Sequence, residues 1–210
     1  MHRCGAIAAD LSINDTMLAE KLDNKLEFLS LCQNELKLAV PEYYPLDKDN
    51  MIETLRMLRS QGAFHEKYLF MKPLELARND RVDFTKIPHD IVEFENFVES
   101  HLKHKDLSVP YILNQYIKGQ EFAANLICKN GQIFMLQVCL SSPIQTNYIS
   151  MRHHGIERWV TEFVQKTRLS GLVCFDFLVD DDNNVYCIEC NPRLHSAITS
   201  FNSPGLVKIL

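Results

Sequence analysis

The sequence predicts an α+β fold in which helices come first and a mainly antiparallel sheet with one inserted helix follows. Two hairpin signals predict the sheet. The first is Asn130-Gly131 between strand-like runs at 121–129 and 132–140, and this dipeptide is typical of a tight β-hairpin. The second joins apolar runs at 172–179 and 185–189 through a polar stretch. The change from helical to alternating periodicity after Pro110 separates the two parts of the chain.

Helices are predicted where apolar residues recur at helical spacing. The first such segment, 24–38, ends before Val40-Pro41, because a proline cannot continue a helix. Residues 1–24 show no clear element. Further helices are predicted at 49–60, 91–102 and 156–167, and short strands at 68–71 and 111–117.

Composition excludes several classes of protein. The chain has 210 residues, 46% of them hydrophobic and 23% charged, which is typical of a globular protein with one large domain or two smaller lobes. Its net charge of −5 argues against nucleic-acid binding. No run reaches the roughly 18 apolar residues of a membrane span, and no signal peptide is evident. A cytoplasmic location is therefore expected.

Seven cysteines are scattered through apolar segments, which does not indicate a disulfide framework. Cys187 and Cys190 form a C-x-x-C motif that could hold zinc or support redox chemistry. No second pair lies at ligand spacing, however, and both residues fall in a strand-like run. Buried free thiols in a reducing compartment are the preferred interpretation.

The second predicted hairpin contains a pair of carboxylates. If its turn is centred between Asp182 and Asn183, Asp176 lies directly opposite Glu189. Two opposed carboxylates on an apolar sheet repel each other, and a divalent cation between them removes the problem. Asn191 shares the face of Glu189 by strand periodicity and adds a neutral oxygen. Such ligation suits Mg²⁺ or Mn²⁺, and magnesium commonly arrives with substrate phosphates.

Simpler interpretations of these residues remain open at the level of sequence. A slip of one residue in the hairpin register would separate Asp176 from Glu189. An acidic residue in a strand also commonly faces solvent. Arg193 could neutralise Glu189 as an ordinary ion pair.

The run Ile188-Glu-Cys-Asn-Pro-Arg193, with Asp176 upstream, resembles the metal-binding signature of the ATP-grasp superfamily of carboxylate–amine ligases. The resemblance implies that Asp176, Glu189 and Asn191 bind the magnesium ions that sit on the ATP phosphates. It also implies that Arg193 stabilises the transferred phosphoryl group. The aspartate at position 176, where many relatives have glutamate, conserves the charge.

Upstream motifs are similar to other ATP-grasp elements and occur in the family's order. Asn114-Gln-Tyr-Ile117 resembles the hinge strand whose backbone meets adenine, and Glu121 the residue that binds ribose hydroxyls. Lys72 resembles the lid lysine that contacts the phosphates. Lys25 resembles the lysine that opens the first subdomain, although a surface lysine is an equally ordinary interpretation of Lys25. The implied nucleotide contacts are Lys25, Lys72, Asn114, Gln115, Tyr116, Ile117, Glu121 and Ile188, and the implied catalytic residues are Arg193 and Lys72.

The resemblance implies a domain organisation of two α+β lobes that grip ATP. We expect residues 1–24 to be a linker or a remnant of a preceding domain, 25–62 a helical first subdomain, 63–115 the lid, and 116–210 the C-terminal lobe with the metal site. The domain that normally precedes the ATP-grasp fold would be largely missing, so the chain is expected to be an incomplete copy.

The expected lid departs from the family pattern. ATP-grasp lids usually carry a glycine-rich loop, but no glycine lies between Gly62 and Gly119. Arg78 and Arg81 could supply positive charge there or could be surface residues. The combination of this lid with Glu189–Ser196 is most similar to the ATP-grasp ligases that make mycosporine-like compounds. His195 and Ser196 could contact an acceptor, and the roles of His153 and His154 are left open.

The function implied by the resemblance is an ATP-dependent ligase that phosphorylates an acceptor and lets an amine displace the phosphate. ATP and Mg²⁺ (or Mn²⁺) are the expected cofactors. The expected partners are ATP and small-molecule substrates, with a homodimer as an open alternative, and neither nucleic acid nor membrane. Two other interpretations are an inactive nucleotide-binding module retained for regulation or assembly, and a zinc protein built on Cys187 and Cys190.

Overall fold

The computed structural model describes residues 13, 15–64, 67–74, 85–102, 110–141 and 148–193. The chain divides into two compact units. Unit 1 comprises residues 1–40 and 117–210, and unit 2 comprises residues 41–116. The segment 25–62, predicted as one helical subdomain, is therefore shared between the two units.

Unit 2 is built on a three-stranded antiparallel sheet with the strand order β1-β3-β2. Leu55, Phe94, Tyr111 and Leu113 are all fully buried in one apolar cluster that joins this sheet to the two helices described in this unit. The elements of unit 2 are β1 (Tyr43–Leu46), α3 (Met51–Ser60), β2 (Leu69–Pro73), α4 (Ile91–Ser100) and β3 (Tyr111–Gln115).

Unit 1 is built on a five-stranded antiparallel sheet with the strand order β6-β5-β4-β7-β8. Two short helices and a π-helical turn precede the sheet, and one long helix is inserted within it. The elements of unit 1 are α1 (Thr16–Asp23), α2 (Lys25–Ser30), the π-helix (Leu31–Leu36), β4 (Gly119–Lys129), β5 (Gln132–Ser141), β6 (Tyr148–Ser150), α5 (His154–Thr167), β7 (Gly171–Asp180) and β8 (Val185–Asn191).

One face of the five-stranded sheet packs on helices through an aromatic core. Phe175 and Phe177 alternate along β7, and both contact the ring of Trp159 on α5, with ring centroids 5.4 and 5.2 Å apart. Phe28 on α2 stacks on Phe175. The Trp159 indole N–H donates to the carbonyl oxygen of Ala39 at 2.9 Å, which satisfies the polar atom of an otherwise apolar ring. The side chains between these phenylalanines therefore belong to the opposite face of the sheet.

The predicted class and most predicted elements are confirmed. The turn at Asn130-Gly131 has positive φ values of 51° and 81°, as a tight hairpin turn with two left-handed residues requires. Within the described ranges, three elements were not predicted, namely helix α1 and the short strands β1 and β6. Within the described ranges, no helix is long and apolar enough to cross a membrane.

Gly119 begins β4 at a point where the strands leave no room for a side chain. A Cβ atom at this position would lie 2.2 Å from the carbonyl oxygen of Val179, a backbone atom that cannot turn aside. We expect Gly119→Ala to lower the free energy of unfolding by about 2–3 kcal/mol, measured by urea denaturation.

Gly155→Ala is the matched control for this prediction. The added Cβ would lie 2.8 Å from Val185 Cγ2, a side-chain atom that can move, and alanine is favoured over glycine in helix α5. We expect a change of less than about 1 kcal/mol in either direction. Equal effects of the two substitutions would contradict the steric account of Gly119.

Candidate functional site

Asp176 on β7 lies directly opposite Glu189 on β8, as the sequence predicts. The turn, however, is not centred between Asp182 and Asn183. Phe177 pairs with Cys187, so the loop that joins the two strands is one residue shorter than predicted. A β-bulge between the Phe177 and Asp176 pairs then inserts Ile188 as an extra residue. The bulge shifts the register by one position and brings the two carboxylates face to face.

The carboxylate pair lies on the face of the sheet that the aromatic core does not use. Phe175 and Phe177 flank Asp176 in sequence and pack on the helices, so alternation along β7 directs Asp176 to the other face. We call the face that carries Asp176, Glu189 and Asn191 the acidic face. Its position on two neighbouring strands is a consequence of backbone pairing, so it does not depend on flexible loops.

Asn191 and Arg193 extend this cluster along β8. The Asn191 side-chain Nδ2 donates to Asp176 Oδ2 at 3.0 Å, and Arg193 Nη2 donates to Asn191 Oδ1 at 3.3 Å. Asn191 is buried, whereas Arg193 is exposed. The alternative in which Arg193 simply neutralises Glu189 is not the arrangement observed, since its hydrogen bond goes to the amide oxygen of Asn191.

Lys25 is the cation beside Glu189. Its Nζ lies 3.5 Å from Glu189 Oε2, and its side chain is only 11% exposed, so the interpretation as a free surface lysine is wrong. Asn24 caps helix α2 by accepting hydrogen bonds from the N–H groups of Leu26 and Glu27, both at 3.1 Å. The cap fixes the first helical position, which Lys25 occupies.

The acidic face perturbs the protonation of Asp176. Burial, together with the neighbouring carboxylates of Glu189 and Glu121, raises the pKa of this carboxyl to about 7, although Lys25 and the hydrogen bond from Asn191 oppose the shift. A carboxyl group whose charge is so poorly compensated by the protein is a candidate ligand for a cation.

The donor set fits a magnesium ion that carries phosphates. Two carboxylates and one amide oxygen are hard oxygen donors, and Mg²⁺ in proteins commonly uses one or two carboxylates and completes its shell with water and phosphate. Among the described residues, no group of three or more His, Cys, Asp or Glu side chains is arranged to hold a metal. The Asn191 amide oxygen accepts from Arg193, so the amide has to turn before this oxygen can serve as a ligand.

The Cys187–Cys190 motif lies away from the acidic face. The bulge at Ile188 places both thiols on the aromatic side of the sheet, opposite Phe177 and Phe175, and both are buried. Burial raises the pKa of each thiol well above its usual value, which disfavours the thiolate that zinc requires. No group of three or more His, Cys, Asp or Glu side chains in the described part of the chain is arranged to hold a metal, so the structure gives the zinc interpretation no support.

The predicted hinge residues lie where the chain passes from unit 2 to unit 1 at Tyr116–Ile117. The backbone N–H groups of Gln115 and Tyr116 already donate to the carbonyl oxygens of Glu42 and Tyr68, at 2.8 and 2.7 Å. The Gln115 side chain accepts from the Glu42 N–H at 3.1 Å. Backbone contacts of these two residues with adenine would therefore have to use their carbonyl oxygens.

Asn114, Lys72, Glu121 and Ile188 occupy defined strand positions. Asn114 is buried on β3 beside Phe70 of β2, and Lys72 pairs with Ile112. These residues belong to unit 2. In unit 1, Glu121 is half-buried on β4 opposite Leu178, and Ile188 is the bulged residue of β8. The acidic face of unit 1 thus brings together six predicted residues, which are Lys25, Glu121, Asp176, Glu189, Asn191 and Arg193.

His153 and His154, whose roles the sequence leaves open, lie at the start of helix α5. His153 caps helix α5 by accepting from the Ile156 N–H at 3.3 Å through Nδ1, and His154 is exposed beside Glu157. His195, Ser196, Arg78 and Arg81 lie outside the described residues.

The profile of the ATP-grasp domain family matches residues 88–197 of the sequence, which is just over half of the chain. This range contains Asp176, Glu189, Asn191 and Arg193. The chain belongs to the ATP-grasp family. An uncharacterised protein of Methanocaldococcus jannaschii is 28% identical over 106 residues, which make up 49% of this chain and 27% of that protein.

Solved ATP-grasp structures share the fold at low sequence identity. N5-carboxyaminoimidazole synthase from Aspergillus clavatus, with ADP and an aminoimidazole ribonucleotide, gives a TM-score of 0.63 at 11% identity, over 86% of this chain and 47% of that chain. The ATP-grasp ligase PsnB, complexed with a phosphomimetic variant of its minimal precursor, Mg and ADP, gives a TM-score of 0.57 at 14% identity, over 85% of this chain and 53% of that chain. The L-amino acid ligase of Bacillus licheniformis gives a TM-score of 0.55 at 21% identity, over 86% of this chain and 43% of that chain. The chain spans about half the length of these enzymes.

Sequence reasoning overlooked one polar residue of the acidic face, Asn125 on β4. Asn125 stands in the otherwise apolar run Phe122–Cys128 of β4 and is 1% exposed. A polar residue in the middle of a buried strand is a signal that can be read from sequence, because such burial is unfavourable without partners.

The raised pKa of Asp176 predicts a pH dependence of stability in the metal-free protein. Because the pKa is higher in the folded than in the unfolded chain, ionisation opposes folding as pH rises from about 4 to about 7. The loss is complete above pH 7. We expect Asp176→Asn to reduce the fall in unfolding free energy between pH 5 and pH 8 by roughly 2 kcal/mol, measured by urea denaturation at both pH values.

Asp180→Asn is the control, since Asp180 lies on the same strand. Hydrogen bonds from Asn184 hold the pKa of Asp180 below its usual value, so its stabilising contribution is lost only as pH falls below about 4. Asp180→Asn should leave the difference between pH 5 and pH 8 unchanged. If Asp176→Asn and Asp180→Asn change the difference between pH 5 and pH 8 equally, burial of Asp176 is not the cause of the pH dependence.

Proposed function

We propose that this chain is the ATP- and magnesium-binding part of a ligase that activates a carboxylate acceptor as an acyl phosphate and joins it to an amine. The observation that carries the proposal is the pair Asp176–Glu189, held face to face by the β7–β8 register with Asn191 beside it. Membership of the ATP-grasp family supports the same conclusion.

The charges around the pair are those that a magnesium–nucleotide complex needs. Asp176, Glu189 and Asn191 would hold Mg²⁺, which when bound neutralises the phosphate oxygens. The Lys25 ammonium, 3.5 Å from Glu189, would then be available to the phosphates as well. Arg193 would stabilise the phosphoryl group in transfer, because a guanidinium presents several N–H donors to phosphate oxygens.

The first chemical step would be phosphoryl transfer. A carboxylate oxygen of the acceptor attacks the γ-phosphorus of ATP, the bond to the β–γ bridging oxygen breaks, and ADP leaves. The protein contributes mainly orientation of the reactants and compensation of charge, because a phosphoryl group in transfer spreads negative charge over its oxygens.

The second step would form the C–N bond. The amine nitrogen attacks the acyl carbon, the bond from this carbon to the phosphate oxygen breaks, and inorganic phosphate leaves with the electron pair. The nitrogen loses one proton to solvent or to a nearby base. Lys72 of unit 2 is proposed, by the family resemblance, to contact the phosphates during the first step.

A second candidate function is that of an inactive nucleotide-binding module, and one observation favours it. No glycine lies between Gly62 and Gly119, so the usual source of close backbone N–H contacts to the phosphates is missing from the expected lid. This candidate predicts that the protein binds ATP without turnover. Trapping of the acyl phosphate by hydroxylamine during turnover would support the ligase and exclude the inactive module.

The proposal is tested by calorimetric titration of the protein with ATP and Mg²⁺. We expect magnesium-dependent binding that the double variant Asp176→Asn/Glu189→Gln loses, because the ion then has no charged ligand. Asp180→Asn, which removes an exposed carboxylate of the same strand, should bind as the parent does. A folded parent that shows no magnesium-dependent ATP binding would overturn the proposed site.

Lys25→Met tests the nucleotide role of the lysine on the acidic face. We expect ATP affinity to fall on the order of tenfold or more, since a charge-assisted contact to phosphate is removed. Lys21→Met is the matched control, because Lys21 lies on the preceding helix α1 and makes an exposed ion pair with Glu35. If both variants bind ATP equally well, Lys25 serves only to neutralise Glu189.

A further inference from the structure

Asn24 joins helices α1 and α2 and makes hydrogen bonds with both of them. Its backbone N–H donates to the carbonyl oxygen of Glu20 at 3.1 Å, which closes the last turn of α1. Its side-chain Oδ1 accepts from the N–H groups of Leu26 and Glu27, both at 3.1 Å, and its carbonyl oxygen accepts from the Phe28 N–H at 2.9 Å. Because an α-helix leaves its first N–H groups without partners, the bonds to the Asn24 side chain fix the first turn of α2.

Lys25 occupies the helical position at which a cation is least favoured. The N-terminus of a helix carries a partial positive charge, so the helix dipole opposes a lysine at the first position. The Lys25 side chain is nevertheless only 11% exposed, and its ammonium lies 3.5 Å from Glu189 Oε2. Burial of an ammonium is also unfavourable unless an opposite charge is near. Helix α2 thus carries a cation against two unfavourable effects, and the acidic face supplies the opposite charge.

The next turn of α2 is anchored in the aromatic core. Phe28, three residues after Lys25, is fully buried. The centroid of its ring lies 6.2 Å from those of Phe163 on α5 and Phe175 on β7. Asn24 before Lys25 and Phe28 after it therefore hold the backbone of this lysine from both sides.

We propose that Asn24 is a positioning residue for nucleotide binding and that it acts through Lys25. By capping α2, Asn24 keeps the Lys25 ammonium at the acidic face before the nucleotide binds. The ammonium then contacts the phosphates without first ordering the turn that carries it, and binding is tighter when less order has to be imposed. This inference rests on the proposed function, because it takes Lys25 as a residue that contacts the phosphates.

A cap that serves only stability is the alternative explanation, and unit 2 contains a matched cap. Asp90 caps helix α4 in the same way, since its side chain accepts from the N–H groups of Val92 and Glu93 at 2.8 and 3.0 Å. The residue that follows Asp90 is the uncharged Ile91. Asp90→Ala therefore removes an equivalent pair of hydrogen bonds where no cation occupies the first helical position.

The experiment measures, for both cap variants, the affinity for ATP at saturating Mg²⁺ and the unfolding by urea. We expect Asn24→Ala and Asp90→Ala to unfold at lower urea concentrations than the parent, since each loses a cap. Only Asn24→Ala should bind Mg–ATP more weakly, by about three- to fivefold, which a cap of ordinary strength can contribute. Asn24→Ser restores an oxygen acceptor and should bind within about twofold of the parent.

A combination with Lys25→Met tests whether the effect of Asn24 passes through the lysine. If Asn24 acts by positioning Lys25, Asn24→Ala should change Mg–ATP affinity by less than about 1.5-fold once the ammonium is absent, because the two substitutions are then not additive. Asn24→Gln, which carries the amide one bond further from the backbone, replaces Asn24→Ala if the alanine variant does not fold.

The inference would be overturned if folded Asn24→Ala bound Mg–ATP as tightly as the parent does. It would also be overturned if Asn24→Ala lost affinity equally with and without the Lys25 ammonium, because the asparagine would then act independently of the lysine. A folded parent that shows no Mg–ATP binding would instead contradict the proposed function itself.

Discussion

The structure of the candidate site depends on two carboxylates that repel each other, Asp176 and Glu189, which the pairing of strands β7 and β8 holds face to face. Asp176 and Glu189 face each other because the bulge at Ile188 shifts the β7–β8 register by one residue. Without the bulge, Asp176 would lie opposite Ile188, and Glu189 would no longer face Asp176. The hairpin thus maintains an arrangement that electrostatics opposes, which is reasonable where a cation is to be bound.

The neighbouring side chains compensate this charge only in part. Lys25 lies beside Glu189, and Asn191 donates a hydrogen bond to Asp176, yet burial and the two nearby carboxylates still raise the pKa of Asp176 to about 7. The other face of the same strands is filled by aromatic rings and uncharged thiols. The sheet therefore separates a rigid apolar core from an underneutralised polar face, and the alternation of side chains along β7 produces both.

Local sequence signals predicted the antiparallel sheet, both hairpins and the carboxylate pair, because turn residues and alternation act over short range. The pair was predicted from a turn that is one residue longer than the observed turn, and the bulge, which has no simple sequence signal, compensated for that error. Helix α1 was missed because only Leu22 of its residues is buried, which gives little periodicity. The ion pair of Lys25 with Glu189 joins residues far apart in sequence, so no local pattern could reveal it.

We propose that the acidic face holds a divalent cation together with the phosphates of a nucleotide. A crystal structure of the protein with ADP and Mn²⁺, analysed by the anomalous scattering of manganese, tests this most directly. We expect a manganese peak in contact with both Asp176 and Glu189, with the Asn191 amide turned so that its oxygen faces the ion. Manganese bound elsewhere, or an acidic face in which Asn191 still donates to Asp176 while ADP is bound, would contradict it.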